Sequence, residues 1–332
     1  MNLARVAQIL GMTESRLQGL QETIIRESAW PEPRLIRFEK EASGVEAGTV
    51  VFENGDIVFG YPKIRRPLFL APAIERHFSG AVAVEEKMNG HNVRVLSVSG
   101  ETVALTRGGF ICPYSTEVAR RLVPEEIFEK NPNLVLCGEM VGPENPYVAK
   151  EVYPTDSIDF YLFDVAEKNR KGTAGVHKTH ELAEQFGLKA TAFLGQFQKD
   201  IAAEKIRQIV LRLGRQGREG VVLKDPENQV SPIKYTSSAT NCSDIAVGFK
   251  YYNDYATDFF LSRVVREGFQ SVEWNESEEE RGERAQRIGE SILFSMIETI
   301  EKKRAGENIV QRVIIHVRNL QTARDFEYHL RR

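Results

Sequence analysis

The chain has 332 residues, of which 42% are hydrophobic and 27% charged, and its formal net charge is −3. These values describe a globular protein of two or three domains with apolar residues enough for a sizeable core, and they exclude a disordered or low-complexity chain. No apolar run is long enough to cross a bilayer, so no membrane partner is expected, and with so small a net charge any polyanion must be held by a local basic surface.

Residues 2–28 carry Leu3, Val6, Ile9, Leu10, Leu17, Leu20 and Ile24 at helical spacing, with Thr13 as an N-cap, which predicts a helical pair ended by Pro31 and Pro33. Met1 to Leu10 lacks the basic region and apolar core of a secretory signal. Cys112, Cys137 and Cys242 are widely spaced, with no His or Cys at metal-ligand spacing, which suits a reducing cytoplasm; Cys137 reads as a small core residue. Thr49 to Phe59 reads as a hairpin around Asn54 and Gly55. Pro62, Arg65, Arg66 and Pro67 then lead into the apolar segment Leu68 to Ala71, and a first domain boundary is expected near residue 75.

The stretch from Glu85 to Arg94 stands out. Valine-rich runs flank it, so Lys87 falls at a strand end, and Asn89-Gly90 is the turn dipeptide most ready to accept positive φ. Such a lysine can act as a nucleophile only as the free amine, a form scarce at neutral pH for an unperturbed pKa near ~10.4. Burial or nearby cations must help, whereas Glu85 and Glu86 work against it, so the cations must lie elsewhere. The plain alternative is a surface hairpin.

Further on, Asn92 to Val98 and Thr102 to Thr106 read as strands around Ser99-Gly100, and the second ends in Arg107-Gly108-Gly109, where paired glycines allow close approach of a phosphate or ribose. Thr116 to Lys130 reads as a helix. Leu134 to Cys137 is an apolar strand delivering Glu139 between Gly138 and Gly142, a carboxylate fit to accept ribose hydroxyls. Ile158 to Val165 alternates Phe160, Leu162 and Asp164 against Tyr161, Phe163 and Val165; one of these aromatics can stack on a purine, or all can be core. Helices are expected over His180 to Phe186 and Ile201 to Leu213, the latter burying Ile201, Ile206, Ile209, Val210 and Leu213. His177 and His180 are the nearest approach to a metal-binding pair.

In Arg218 to Lys224, alternation puts Glu219, Val221 and Leu223 on one strand face and Gly220, Val222 and Lys224 on the other. A second strand, Pro232 to Thr236, offers Lys234. Lys224 and Lys234 are the cations that Lys87 needs.

Taken together, Lys87 to Gly90, Arg107 to Gly109, Phe160 to Val165, Glu219 to Lys224 and Ile233 to Tyr235 resemble motifs I, Ia, III, IV and V of the covalent nucleotidyltransferases, the superfamily of ATP-dependent ligases and mRNA capping enzymes. The likeness is strongest to archaeal-type homodimeric ATP-dependent RNA ligases and spans about residues 80–236. It implies an α+β fold: a nucleotidyltransferase domain of antiparallel sheets with flanking helices over 76–238, a small N-terminal module over 1–75 and a mainly helical, dimerising module over 239–332. It implies that Lys87 takes AMP from ATP with Mg²⁺ or Mn²⁺, and that AMP passes to an RNA 5′-phosphate which a 3′-hydroxyl then attacks. By the same likeness Arg107 and Glu139 contact ribose and Phe163 stacks on adenine. Glu219 serves the metal, Lys224 and Lys234 hold the AMP phosphate, Asn92 meets the 5′-phosphate, and Glu85 joins the nucleotide-contacting set. Asn89 replaces the usual Asp of motif I, and Thr236 a second lysine of motif V.

Beyond motif V, Tyr251 to Arg263 and Glu276 to Lys303 read as helical, with Ile292, Leu293, Met296, Ile297 and Ile300 forming an apolar face. Val310 to Val317 reads as a strand and Thr322 to Leu330 as a last helix. Arg312, Arg318, Arg324, Arg331 and Arg332 either touch RNA or form a solvated face. A DNA-joining or capping enzyme would instead show an OB-fold after residue 240, and a nucleotide sensor or RNA-binding scaffold would bind ATP without becoming labelled.

Overall fold

A computed structural model describes residues 2–28, 32–251 and 256–331. In chain order the elements are α1 (Leu3–Ile9), α2 (Glu14–Gln21), β1 (Ile25–Ser28), β2 (Leu35–Phe38), β3 (Val50–Phe52), β4 (Ile57–Val58), α3 (Leu70–His77), β5 (Val82–Lys87), β6 (His91–Val98) and β7 (Glu101–Thr106). There follow α4 (Pro113–Leu122), α5 (Glu126–Lys130), β8 (Leu134–Val141), β9 (Asp159–Glu167), α6 (Val176–Gln185), β10 (Phe193–Phe197) and α7 (Lys199–Arg215). The last are β11 (Gly220–Lys224), β12 (Ile233–Thr236), α8 (Ser238–Lys250), α9 (Thr257–Glu273), α10 (Glu278–Arg304) and α11 (Leu320–Leu330). The described residues form two compact units, each assembled from separated segments: 1–63 with 89–191 and 313–332, and 64–88 with 192–312. The division read from sequence, at 75 and 238, follows the chain linearly, whereas the compact units interleave along it.

In the first unit, α1 and α2 pack on an antiparallel meander β1-β2-β3-β4 through Leu17, Phe38, Val51 and Ile57. Thr13 caps α2, accepting from Arg16 N at 3.3 Å. The helical spacing runs through Ile24 in the sequence, but the second helix stops at Gln21 and Ile25–Ser28 pairs with β2, Ile25 opposite Phe38. Pro31 lies outside the described residues. The unit's second sheet, β7-β6-β8-β9, buries Val93, Val95, Leu136, Met140, Phe160 and Leu162 under α4, α5, α6 and α11. The single helix expected over 116–130 is two, because Pro124 has no N–H to donate and forces the residue before it out of helical geometry; Val123 is extended at φ −109. The strand expected over 310–317 is absent. Ile315 and Val317 rest against the core while the backbone joins no sheet, so alternation there reflects anchoring without pairing.

In the second unit the sheet β10-β5-β11-β12 packs one face on α3 and α7 through Ile74, Val84, Ile206, Val210, Val221 and Leu223. Ala202 takes the buried position expected of Ile201, which is 47% exposed. The strand β10 was not foreseen. Helices α8, α9 and α10 follow β12, the last opened by a capping box of Ser277 and Glu280. Among the described residues no strand comes after β12, so the OB-fold that would mark a DNA ligase or capping enzyme is absent there, and residues 252–255 of the expected helix over 251–263 lie outside the description.

Candidate active site

The second unit gathers one group of the residues singled out in the sequence. Strand β11 pairs antiparallel with β5, Gly220 opposite Lys87 and Val222 opposite Glu85, and β12 places Lys234 opposite Val222. Because side chains alternate, Glu85, Lys87, Lys224 and Lys234 share the sheet face turned away from the apolar core. Lys87 ends its strand with its side chain 20% exposed, and its Nζ donates to Glu219 Oε2 at 2.7 Å. Simple alternation had put Glu219 on the core face. Gly220, at φ 145, breaks the alternation, and Glu219 meets the lysine face instead.

Glu85 is 1% exposed and its Oε2 lies 2.6 Å from Lys224 Nζ, itself only 7% exposed in its side chain. Its neighbour Glu86 takes the other side of the strand and accepts from Arg218 at 2.8 Å. Burial pushes the Glu86 carboxyl up, and Arg218 opposes that. The two carboxylates next to Lys87 in sequence are thus engaged by cations, and the one that reaches its amine comes from 132 residues downstream. Lys234 is half-buried, and its backbone N–H donates to Arg65 O at 2.9 Å.

The first unit holds the rest: Asn92, Glu139 and Phe163 on the polar face of β7-β6-β8-β9, and Arg107 in the turn that follows β7. Asn92 stands opposite Glu139, and Glu139 Oε1 accepts from Gly90 N at 3.2 Å. Phe163 is half-buried, its ring edge-on to Tyr61 with centroids 5.1 Å apart, while Phe160 and Leu162 face the core, which divides the aromatic stripe of β9 between the two sides of the sheet. Tyr61 also donates to buried Asp164, at 3.1 Å. Arg107 is exposed in the turn after β7.

Between these strands Gly90 plays a different part from the one expected of it. It is not among the residues of positive φ; a Cβ there would lie 2.0 Å from Met140 O, so glycine is required by the close approach of β8. On the same face as Asn92, Arg94 is wholly buried and donates to Phe59 O, Gly48 O and Thr106 O at 2.7, 2.8 and 3.0 Å, and burial pushes its guanidinium down to about 10. It thereby ties the meander to the end of β7 from which Arg107 projects. His177 and His180 hold no metal cluster: among the described residues no group of three His, Cys, Asp or Glu is placed to bind one. None of the three cysteines is in a disulfide, and all are buried.

Two family models match the chain: RNA ligase over residues 80–236, and the ligase Pab1020 C-terminal region over 247–332. An archaeal ATP-dependent RNA ligase of known structure is 40% identical, with a TM-score of 0.95 over 99% of this chain and 89% of its own. The chain belongs to the RNA ligase family. An uncharacterized protein of Methanocaldococcus jannaschii is 41% identical over 315 residues, which are 93% of this chain and 80% of that protein. A provisionally assigned ATP-dependent DNA ligase of Aquifex aeolicus is 27% identical, with a TM-score of 0.90 over 96% of this chain and 87% of its own.

The RNA ligase model spans Glu85, Lys87, Asn92, Arg107, Glu139, Phe163, Glu219, Lys224 and Lys234. Sequence reasoning missed Arg94 and Arg218, whose partners are remote in the chain, and Arg66, which it read only as part of a proline-flanked connector. Arg65 pairs its backbone with Ile233, and this carries Arg66 to within 4.0 Å of Glu219 Oε1.

Proposed function

We propose that this chain is an ATP-dependent RNA ligase that joins 5′-phosphate and 3′-hydroxyl ends through AMP carried on Lys87. The observation that carries the reading is the Lys87–Glu219 pair at a strand end, on a face that also holds Lys224 and Lys234, in a chain of the RNA ligase family. In the first step the Nζ lone pair bonds to the α-phosphorus of ATP, the bond to the bridging oxygen breaks, and pyrophosphate leaves with that electron pair. Glu219 is the acceptor nearest the proton that Nζ sheds. Lys224 and Lys234 offer charge to the AMP phosphate, and a phosphate that draws on Lys224 competes with Glu85 for it.

In the first unit, Arg107 and Glu139 serve the ribose, Phe163 the adenine and Asn92 the 5′-phosphate. Glu219 and Glu85 are hard oxygen donors of the kind Mg²⁺ or Mn²⁺ prefers, too few to cage an ion among the described residues, so such an ion would take most ligands from phosphate and water. When bound it would screen phosphate charge.

The working division is an adenylation region over 76–238 flanked by modules over 1–75 and 239–332, in a cytoplasmic homodimer. Support for the dimer is the face of α10, where Leu293, Phe294, Ile297 and Ile300 are 41–61% exposed in the single chain. Relatedness to the Aquifex protein favours one second reading, a DNA acceptor. The test is incubation with α-labelled ATP and Mg²⁺, wild type beside Lys87→Ala, followed by 5′-phosphorylated RNA or DNA. Lys87-dependent covalent AMP passing to RNA is expected. No adduct, in protein shown to be free of prebound AMP, would sink the ligase mechanism, and transfer to DNA alone would favour the second reading.

A further inference from the structure

Three arginines of the second unit, Arg66, Arg263 and Arg266, lie close enough to repel one another and have no task in the reaction just described; Arg66 brings the group to Glu219. Arg66 Nη2 lies 4.0 Å from Glu219 Oε1, the oxygen that Lys87 does not use. Arg263 and Arg266 project from α9. Arg263 is held by Asp244, its Nη2 and Nε at 2.9 and 3.0 Å from Oδ2, and its guanidinium lies over the Phe259 ring at 3.6 Å. Arg266 Nε donates to Asn241 Oδ1 at 3.3 Å. Arg66 Nε and Arg266 Nη2 remain buried without a hydrogen-bond partner.

Arg66 and Arg266 line one cavity with Tyr235, Thr236, Asn241 and Gln270, of about 10 Å³, room for a single oxygen-sized group. Burial lowers both arginines, Arg266 to about 10; Arg66 and Arg263 repel Arg266, while Asp244, Glu219 and Glu267 offer partial compensation. Glu267 is itself taken by Arg284, Asn241 and Ser238. Buried cations with unused donors are costly unless an anion completes them. Guanidinium offers donors only, in a planar fork that matches the oxygens of phosphate.

We propose that Arg66 and Arg266, braced by Arg263, form a phosphate receptor beside Lys87, for a phosphate other than the one Lys87 attacks. One oxygen of the bound group enters the cavity and the others stay at its mouth. This rests on Lys87 being the nucleophile. The phosphate comes either from the pyrophosphate end of ATP or from the 5′ end of RNA, and the chemistry of recognition is the same for both.

The test compares Arg66→Gln and Arg266→Gln with wild type in two arms, each starting from purified Lys87-AMP protein. One arm adds inorganic pyrophosphate and follows reversal to ATP; the other adds 5′-phosphorylated RNA and follows AMP transfer. We expect at least a tenfold rise in the concentration needed in one arm, which identifies the source. Less than a twofold change in both arms, in variants that melt with wild type, overturns the proposal. Should Arg66→Gln fold poorly, Arg66→Lys keeps the charge but lacks Nε, and a shift intermediate between wild type and Arg266→Gln is expected; no shift counts against the receptor. If wild type forms no Lys87-AMP, the ligase reading fails instead, and calorimetric titration of pyrophosphate and of 5′-phosphorylated RNA into wild type and Arg266→Gln decides the receptor: tenfold weaker binding of either by the variant supports it, and equal binding of both overturns it.

Discussion

Gly90→Ala tests whether the segment after Lys87 is held by the close approach of two backbones. The added methyl would lie 2.0 Å from Met140 O, 2.8 Å from Val141 Cγ1 and 2.9 Å from Met140 C, where ordinary contact begins at 3.4 Å. Met140 cannot retreat, because it is fully buried and paired with His91 on one side and Phe160 on the other. Overpacking against so rigid a neighbour costs about 3 kcal/mol, or roughly 6–12 °C in melting temperature for a domain of this size. Gly100→Ala is the control. It has φ +86 but nothing within 4 Å of the new methyl, so its cost is conformational and about 1 kcal/mol. Melting followed by circular dichroism measures both, and covalent AMP formation, at a temperature where both variants are folded, should fall at least tenfold for Gly90→Ala alone. The steric argument is refuted if Gly90→Ala melts within 2 °C of wild type, on the order of ~0.5–1 kcal/mol, and labels normally.

Lys224→Met strands the carboxylate of Glu85, 1% exposed, and should cost about 3–5 kcal/mol in urea unfolding. Adding Glu85→Gln should restore most of that stability without restoring adenylation; equal stability of the two variants would contradict the buried pair. Burial holds the His91 imidazole down to about 4, against 6.5 when free, so the unfolded chain binds the proton more readily. The resulting stabilisation is complete above pH 6.5 and lost as pH falls towards 4, by about 3 kcal/mol, and His91→Gln should flatten the urea midpoint across that window. The proposed dimer through α10 requires wild type to sediment as a dimer and Leu293→Glu with Ile297→Glu as a monomer that melts within a few degrees of it; a wild-type monomer would refute it.

The placement of several candidate residues was legible because they lie in short contiguous patterns. Lys87 sits at the end of β5 and Lys224 at the end of β11, as valine runs and breakers implied, and the likeness to ATP-dependent RNA ligases is matched by the family and its solved structures. What was hidden depends on long-range placement. No local pattern reveals that Glu219 would cross to the lysine face at a glycine kink, or that Arg66 would arrive through a single backbone bridge at Ile233. Gly90 was legible as a special position but for the wrong reason, since a turn and a tight backbone approach both call for glycine. Strands β1 and β10 escaped because each is short and is stabilised by the neighbour it pairs with rather than by its own pattern.

The threading of the chain also bears on when the protein becomes competent. The unit that carries Arg107, Glu139 and Phe163 includes α11, whose Phe326 packs into its core against Tyr114, with ring centroids 5.4 Å apart. During synthesis that core stays open until the chain has been made through residue 326, long after Lys87 and its strand have emerged. A chain cut before residue 313 should therefore bind a hydrophobic dye at the exposed α4 face, and a silent, stably folded truncation would rule this out. Closure of the first unit's core is thus postponed until every segment of the second unit has been made.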